Sequence, residues 1–240
     1  MAIKPKKILK IIAGIIIFLT LPSALFFGYL YFKYNEGLPT GIQGQQADAL
    51  AHKMLNALDH QAYKTTNYIE WTFKKRHHYE WDKANNICTV FWKQNKVVLD
   101  FNNPKNHKAY IHSFKTESEM AQELITKAIR YFHNDSFWLV APYKVFDTGV
   151  KRQLIKTKNN NEALLVTYTS GGSTPGDSYL WILDNSGKPI AFKMWTSILP
   201  INGLEASWNH WTVTQTGVQL PTFHKLLFLG LEINDIKTSK

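Results

Sequence analysis

The sequence predicts a mainly β (α+β) fold, with a strongly curved antiparallel sheet, or incomplete β-barrel, covered by two helices and preceded by one N-terminal transmembrane helix. Three observations predict it. The stretch Ile11–Phe32 has no charged residue, two later segments show apolar residues at helical spacing, and short alternating aromatic and β-branched segments fill most of the remainder. The chain has no strand–helix–strand series that would favour a parallel sheet.

The N-terminal apolar stretch is long enough to cross a bilayer as one helix, which takes about 20 residues. Lysines precede it and only Lys33 follows closely, so the positive-inside rule places residues 1–10 in the cytoplasm. Residues 11–34 then form a single-pass anchor in a bacterial cytoplasmic membrane, with the rest of the chain in the periplasm. A cleavable signal peptide is the alternative, but its apolar core is usually about 7–15 residues, and Pro22 stands where a cleavage site needs a small residue.

Composition limits the kind of domain that the anchor carries. Residues 35–46 are rich in glycine and glutamine and predict a short tether, and residues 47–240 are enough for one domain with a sizeable core. The single cysteine, Cys88, excludes an intrachain disulfide and lies in an apolar run that predicts burial. The net charge of +10 favours anionic lipid or glycan as a partner, and we expect no nucleic acid.

The domain begins with a helix and a strand meander. Apolar residues recur at helical spacing over Gln45–Leu58, which predicts a helix that packs on a sheet. Four short segments come next, separated by polar turns at hairpin spacing, and these predict antiparallel strands. The predicted strands are Tyr68–Phe73, His77–Trp81, Ile87–Trp92 and Lys96–Phe101.

A second helix is predicted over Glu117–Phe132, because a capping-box spacing stands at its start and its apolar residues form a wide stripe. The polar residues Asn134–Ser136 are predicted to end it. The next segment, Phe137–Phe146, is strongly apolar and is interrupted by Pro142, which predicts the end of a strand leading into a corner.

The C-terminal half predicts a second run of strands. Polar and glycine-containing turns separate them, among them Lys158–Glu162 and Asp184–Gly187. The predicted strands are Val150–Lys156, Ala163–Ser170, Ser178–Leu183, Ile190–Trp195, Ala206–Thr214, Phe223–Phe228 and Glu232–Ile236.

The sequence offers no convincing site for catalysis or metal binding. His77 and His78 are neighbours on a predicted strand, so their side chains point to opposite faces and cannot easily share one ion. Ser173 lies in a glycine-rich loop, and the sequence places no histidine base beside it. No pair of carboxylates has a spacing that singles it out for glycoside hydrolysis. We therefore expect no enzymatic activity, no catalytic residue, no metal and no cofactor.

The aromatic content is the feature that stands out. Eight tryptophans lie in or beside predicted strands. Ordinary core packing explains any one of them. As a set they favour a curved sheet whose aromatic concave face, covered by helices, holds an apolar ligand. The residues predicted to line this cavity are Trp71, Phe73, Tyr79, Trp81, Trp92, Trp138, Trp181 and Trp195.

Several short sequence segments resemble those of the outer-membrane lipoprotein-sorting (LolA-like) superfamily. They are Asp177–Leu183, the turn Gly187–Pro189, Phe192–Trp195, Trp211–Pro221 and the mid-chain Phe137–Asp147. The resemblance implies an incomplete, curved antiparallel barrel with helices in its mouth, which holds a lipid or acyl chain without catalysis. It carries over no individual binding residue, and the members that act as soluble carriers are cleaved, whereas this chain is predicted to stay tethered.

Three functions are compatible with the sequence. The first is a membrane-anchored, envelope-facing module that binds a lipidic or apolar ligand. The second is a structural or protein-interaction domain of an envelope complex, which would have no small-molecule ligand and would expose an apolar patch. The third is an enzyme acting on envelope glycan or lipid, which would need several of the acidic or histidine residues to converge in one cleft.

Overall fold

The computed structural model describes residues 5–157 and 161–240. Helix α1, Pro5–Tyr34, is continuous. Within it, Leu9–Tyr34 is apolar and long enough to cross a membrane. The first four residues of the predicted cytoplasmic segment and most of the predicted turn Lys158–Glu162 lie outside the described residues.

In the described residues, fourteen strands form one antiparallel sheet that does not close, which confirms the predicted fold class. The strand order is β6-β5-β4-β3-β2-β1-β14-β13-β11-β10-β9-β8-β7, and β12 pairs with β13 outside this path. The strands are β1 Tyr68–Phe73, β2 His77–Asp82, β3 Ile87–Trp92, β4 Asn95–Asp100, β5 Lys108–Ile111, β6 Phe114–Thr116, β7 Val150–Lys156, β8 Glu162–Tyr168, β9 Ser178–Leu183, β10 Pro189–Trp195, β11 Leu204–Ser207, β12 His210–Val213, β13 Gln219–Leu226 and β14 Leu229–Ser239.

The two halves of the sheet meet where the first strand pairs with the last. Strand β14 lies antiparallel to β1, with Tyr68 opposite Ser239 and Phe73 opposite Ile233. The predicted strand Glu232–Ile236 therefore exists but is longer at both ends. Adjacent strands twist by about 20–25° in a sheet. This large sheet bends accordingly, so that one helix, α4 (Ser118–Val140), touches the distant strands β4, β5 and β13.

Two further helices lie between α1 and the first strand. Helix α2, Gln45–Ala57, confirms the first predicted helix, and its buried face packs on β7 and β8. A short helix that was not predicted, α3, comes next at His60–Thr65. Its start is set by Asp59, whose carboxylate accepts a hydrogen bond of 3.1 Å from the Ala62 N–H, as N-capping residues do.

Helix α4 extends far beyond its predicted end at Phe132, since it runs to Val140. The predictions that Asn134–Ser136 end the helix and that Phe137–Phe146 continues as a strand are wrong. The polar residues stay in the helix because Asp135 finds hydrogen-bond partners on the sheet. The α-helix ends at Val140, whose φ of −125° departs from helical geometry, and a 3₁₀ turn over Ala141–Lys144 follows, with Pro142 near its start.

Two other predictions need correction. The hairpin β5–β6 was missed, because its strands have only four and three residues and carry little of the alternating apolar pattern. The predicted strand Ala206–Thr214 is two strands, β11 and β12. The break falls at Trp208, whose backbone N–H donates to the Ile190 carbonyl at 2.7 Å while its side chain is fully buried.

The segment between α1 and α2 lies against the domain. The Glu36 N–H donates to the Asn202 carbonyl at 2.9 Å, and the Trp195 indole N–H donates to the Glu36 carbonyl at 2.8 Å. Further along, Ile42 forms a two-way backbone bridge with Leu154 on the edge strand β7. The predicted tether is therefore bound along much of its length in this structure.

Candidate functional site

The concave face of the sheet and helix α4 form the main apolar core, and most of the predicted lining residues lie there. Trp71, Tyr79 and Trp181 are fully buried, Phe73 and Trp92 are buried, and the half-buried Trp81 and Trp138 pack against the same cluster. Trp195 does not join them. It lies in a second cluster with Ile155, Ala163, Leu165 and Leu180.

The position of Trp195 is a result of strand alternation. On β10, Phe192 and Met194 belong to the main core, so their neighbour Trp195 faces the other side of the sheet. There the segment between α1 and α2 covers it, through the hydrogen bond to Glu36. The expectation that Trp195 lines the same cavity as the other tryptophans is therefore corrected.

In the N-terminal half of the core, α4 inserts Phe132 into a ring of aromatic side chains. The Phe132 ring centroid lies 5.0 Å from that of Phe101 and 5.3 Å from that of Trp81. Trp71 stacks on Tyr79 at 4.5 Å. The helix thus fills this part of the concave face with its own side chain.

In the C-terminal half, Trp208 is the centre. Its ring centroid lies 5.0 Å from that of Trp181 and 5.1 Å from that of Phe192, and Trp138 of α4 stacks on it at 6.0 Å. Trp208 is one of the eight tryptophans noted in the sequence, but it was not predicted to line the cavity. It was missed because it sits in the short break between two strands, where alternation gives no signal.

His224 packs against Trp208 and ties α4 to the sheet. Its Nδ1 lies 2.9 Å from the Ser207 carbonyl oxygen, and its Nε2 lies 2.7 Å from the Trp138 carbonyl oxygen. Burial lowers the pKa of His224 to about 4, despite the two carbonyls that favour the protonated ring. At neutral pH the ring is uncharged and donates from only one nitrogen.

A buried carboxylate ties α4 to the other half. Asp135 accepts hydrogen bonds from the Tyr79 hydroxyl at 2.6 Å and from the Asn134 side-chain amide at 2.7 Å, and His77 Nδ1 lies 2.7 Å away. Burial raises the pKa of Tyr79, with the Asp135 charge adding to the effect. The Tyr79 hydroxyl therefore stays protonated, and its hydrogen bond to Asp135 holds α4 on the sheet. Neither group is free to attack a substrate.

His77 and His78 do point to opposite faces, which confirms that prediction. His77 stacks on Tyr131 of α4 at 4.0 Å, whereas His78 contacts the Thr72 hydroxyl at 2.9 Å on the other side. Within residues 5–157 and 161–240, no group of three His, Cys, Asp or Glu side chains is arranged to hold a metal ion. Cys88 is free and buried, as predicted.

A histidine does lie beside Ser173, which the sequence could not place. His133 Nδ1 is 2.8 Å from the Ser173 hydroxyl. Ser173 is exposed on a loop where Gly171 and Gly172 adopt left-handed backbone angles. In the part of the chain described, no carboxylate hydrogen-bonds to His133, so the pair lacks the third group that orients a catalytic histidine.

Four buried indole N–H groups of the core have no hydrogen-bond acceptor among the described residues. Buried tryptophan N–H groups usually find one. Two other tryptophans do: Trp195 donates to the Glu36 carbonyl, and Trp211 donates to the Pro189 carbonyl at 3.1 Å. The four without an acceptor belong to Trp71, Trp81, Trp181 and Trp208.

Two surface depressions stand out in the described part of the chain, and neither reaches the aromatic core. One is a groove of about 490 Å³ between the β3–β4 and β5–β6 turns, with Lys93, Lys96 and Tyr110 in its lining. The other, about 660 Å³, runs along the exposed polar side of α4. On the concave face, Phe132 and Trp138 of α4 pack against the aromatic side chains of the sheet.

No family model and no curated protein matches the chain. Among solved structures, a crystal structure of a DUF1329 family protein from Desulfovibrio piger is similar over 82% of this chain and 94% of the other, with a TM-score of 0.41 and 5% sequence identity. A likeness at this level assigns neither a family nor a function. The resemblance to the lipoprotein-sorting superfamily stays a prediction.

Asp135 is one of the buried polar residues that the sequence pattern did not identify. A signal was present, because a lone acidic residue falls on the apolar stripe of α4, one turn after Phe132 and one turn before Leu139. An acidic residue at such a position predicts either that the helix ends there or that the side chain has a buried hydrogen-bond partner. Only the position of Tyr79 on the neighbouring strand distinguishes the two.

Proposed function

We propose that the chain is a non-catalytic, membrane-anchored module of the bacterial envelope that binds a lipidic ligand between the curved sheet and α4. The observation that carries the proposal is the set of four buried indole N–H groups without acceptors among the described residues. The aromatic concave face suits an acyl chain, and its four indole N–H groups can donate hydrogen bonds to a few ester or carboxyl oxygens of the same ligand. The charge of +10 suits a ligand with an anionic head group.

Such a ligand has to displace side chains of α4, since Phe132 and Trp138 occupy the concave face. The helix is held by few polar contacts, chiefly Asp135 to Tyr79 at one end of the core and the Trp138 carbonyl to His224 at the other. We therefore expect binding to loosen α4 from at least one half of the sheet, with the acceptors of the ligand taking the free indole N–H groups.

Photo-crosslinking tests the proposal. The full chain, delipidated in detergent, is incubated with a diazirine-bearing palmitic acid and irradiated, and the adducts are mapped by mass spectrometry. Adducts on α4 and on the concave faces of β9 and β10 are expected. Trp181→Phe keeps an aromatic ring but removes a free N–H, and should lower the yield. The matched control Trp211→Phe removes an N–H that already has an acceptor, and should not.

Adducts confined to α1 would overturn ligand binding by the domain, because any apolar probe partitions to a membrane helix in detergent. Equal yields from Trp181→Phe and Trp211→Phe would remove the role given to the free indole groups. In either case the second candidate, a protein-interaction domain, becomes the better one.

One observation favours that second candidate. Strand β6 ends the sheet, no other strand of the described residues pairs with its outer edge, and its first residue, Phe114, is largely exposed. An unprotected edge strand with an apolar side chain can accept a strand from another protein. The other edge, β7, is partly covered by the backbone bridge to Ile42. A partner strand bound at β6 would protect the backbone amides of Phe114–Thr116 from hydrogen exchange.

A further inference from the structure

The hairpin between β13 and β14 has an unusual tip. Leu226 pairs with Leu229, so the turn consists of Leu227 and Phe228, and all four residues are apolar. Two-residue hairpin turns ordinarily use Asn, Asp or Gly, because these residues tolerate positive φ. Here Leu227 adopts a φ of 54°, and Phe228 is 68% exposed. Leu226 and Leu227 pack against the main core, but neither backbone preference nor burial within the domain explains the exposed Phe228.

The tip lies beside the apolar helix α1. The ring centroid of Phe228 is 6.2 Å from that of Phe26. The end of α1 is itself part of the domain, since Leu30 is buried in the main core cluster. The loop after β10 adjoins the same end, where the Asn202 N–H donates to the Asn35 side chain at 2.9 Å, and in that loop Ile198 is 66% exposed.

The depth of the tip can be estimated from helix geometry. A bilayer core takes about 20 helical residues, and counting from Ile11 this reaches Leu30. Phe26 lies one turn inside that limit, and about 12 Å before the helix end at Tyr34, given a rise of about 1.5 Å per residue. A side chain level with Phe26 is therefore within the hydrocarbon of the leaflet on the domain side.

We propose that Phe228, Leu229 and Ile198 insert into the leaflet of the membrane that α1 spans, so that the domain rests on the bilayer at a fixed orientation. This rests on the membrane anchoring in the proposed function and is independent of whether the core binds a lipid. The bilayer is the occupant that the structure favours, because the exposed apolar side chains continue the surface of a helix that itself belongs in lipid.

Basic residues border the inserted side chains. The turn Lys74–Arg76 lies at the same edge of the sheet, since the Lys74 N–H donates to the Glu232 carbonyl at 2.8 Å, close to the start of β14. Lys225 is exposed two residues before the tip. An apolar tip bordered by lysine and arginine is the usual composition of a surface that binds anionic lipid head groups while its apolar part enters the acyl region.

Site-directed fluorescence tests the proposal in the full chain. In a Cys88→Ala background, Phe228→Cys is labelled with an environment-sensitive dye and reconstituted at one copy per nanodisc of phosphatidylcholine and phosphatidylglycerol. The matched control is Val213→Cys. Val213 is also 68% exposed, but it lies next to the opposite end of β13, where it pairs with Gln219. Phe18→Cys, in the middle of α1, reports on the anchor.

The expected result is a blue-shifted emission at position 228 and strong quenching by spin-labelled lipid, comparable to position 18, with neither effect at position 213. A dye at position 228 that is as water-accessible as at position 213, while position 18 reports lipid, would overturn the insertion and leave the anchor intact. An aqueous signal at position 18 would instead refute the anchor, and the insertion with it.

Discussion

Asp135 on α4 and Tyr79 on β2 are joined by a hydrogen bond of 2.6 Å, and both side chains are buried. The bond fixes α4, the longest helix of the domain, to the strand meander. Removing the Tyr79 hydroxyl takes one donor from a buried carboxylate, and the loss of a partner by a buried polar group costs more than the net value of the bond.

Tyr79→Phe should therefore lower the free energy of unfolding by about 1–3 kcal/mol, since it leaves the Asp135 carboxylate with one donor fewer. The measurement is urea unfolding of the full chain in detergent, monitored by tryptophan fluorescence. Tyr110→Phe is the control, because the Tyr110 hydroxyl has no hydrogen bond among the described residues. Equal effects of the two substitutions would show that the buried carboxylate is held by other groups.

Stability should fall as the pH is lowered from about 6.5 to about 4. The pKa of His224 is about 4 in the folded protein, whereas an unperturbed histidine titrates near 6.5. In this interval the unfolded chain binds a proton that the folded chain does not, so acid favours unfolding by up to about 3 kcal/mol. His224→Gln should flatten this part of the stability curve. A curve of unchanged slope would mean that the ring is protonated in the folded protein.

Gly41→Ala should release the segment that joins α1 to the domain. A Cβ atom at position 41 would lie 2.6 Å from the Leu154 carbonyl oxygen, which is backbone and cannot rotate away. Gly37→Ala is the control, because a Cβ atom there meets no atom within 4 Å. Faster amide hydrogen exchange over residues 36–43 is expected in Gly41→Ala alone. Similar exchange in both variants would contradict the close packing of this segment.

Ser173 should not react with fluorophosphonate probes. Its hydroxyl is within reach of His133, but among the described residues no carboxylate orients that histidine. Burial also lowers the pKa of His133, which weakens it as a base. The probe is applied to the full chain next to a serine hydrolase as positive control, and adducts are read by mass spectrometry. Labelling at Ser173 that is lost in His133→Ala would restore the enzyme hypothesis.

Local pattern was sufficient to predict most elements and the buried aromatic residues. Strand alternation predicts the buried face of β1 and of β3, and helical spacing predicts α2 and the first half of α4. The alternation of apolar residues does not say which face of a strand points to the concave side of the sheet. Trp195 was therefore assigned to the wrong face. A tryptophan packed on either side of a sheet gives the same period of two.

The remaining errors share a cause, which is that the deciding contact is distant in sequence. The continuation of α4 past Asn134 depends on Tyr79, which precedes Asp135 by 56 residues. The filling of the concave face depends on how far the sheet bends, which the sequence of no single strand specifies. The apolar run around Leu227 and Phe228 is visible in the sequence, but only its pairing distinguishes a hairpin tip from the end of a strand.

The pairing of β1 with β14 has a consequence for biogenesis. Because the first strand of the domain is completed only by Leu229–Ser239, the sheet stays in two separate pieces until this segment has been synthesised. Contacts between such distant segments form slowly. Until then the chain exposes its tryptophan-rich strands, so its folding should depend on chaperones, and loss of β14 should be as damaging as loss of a core strand.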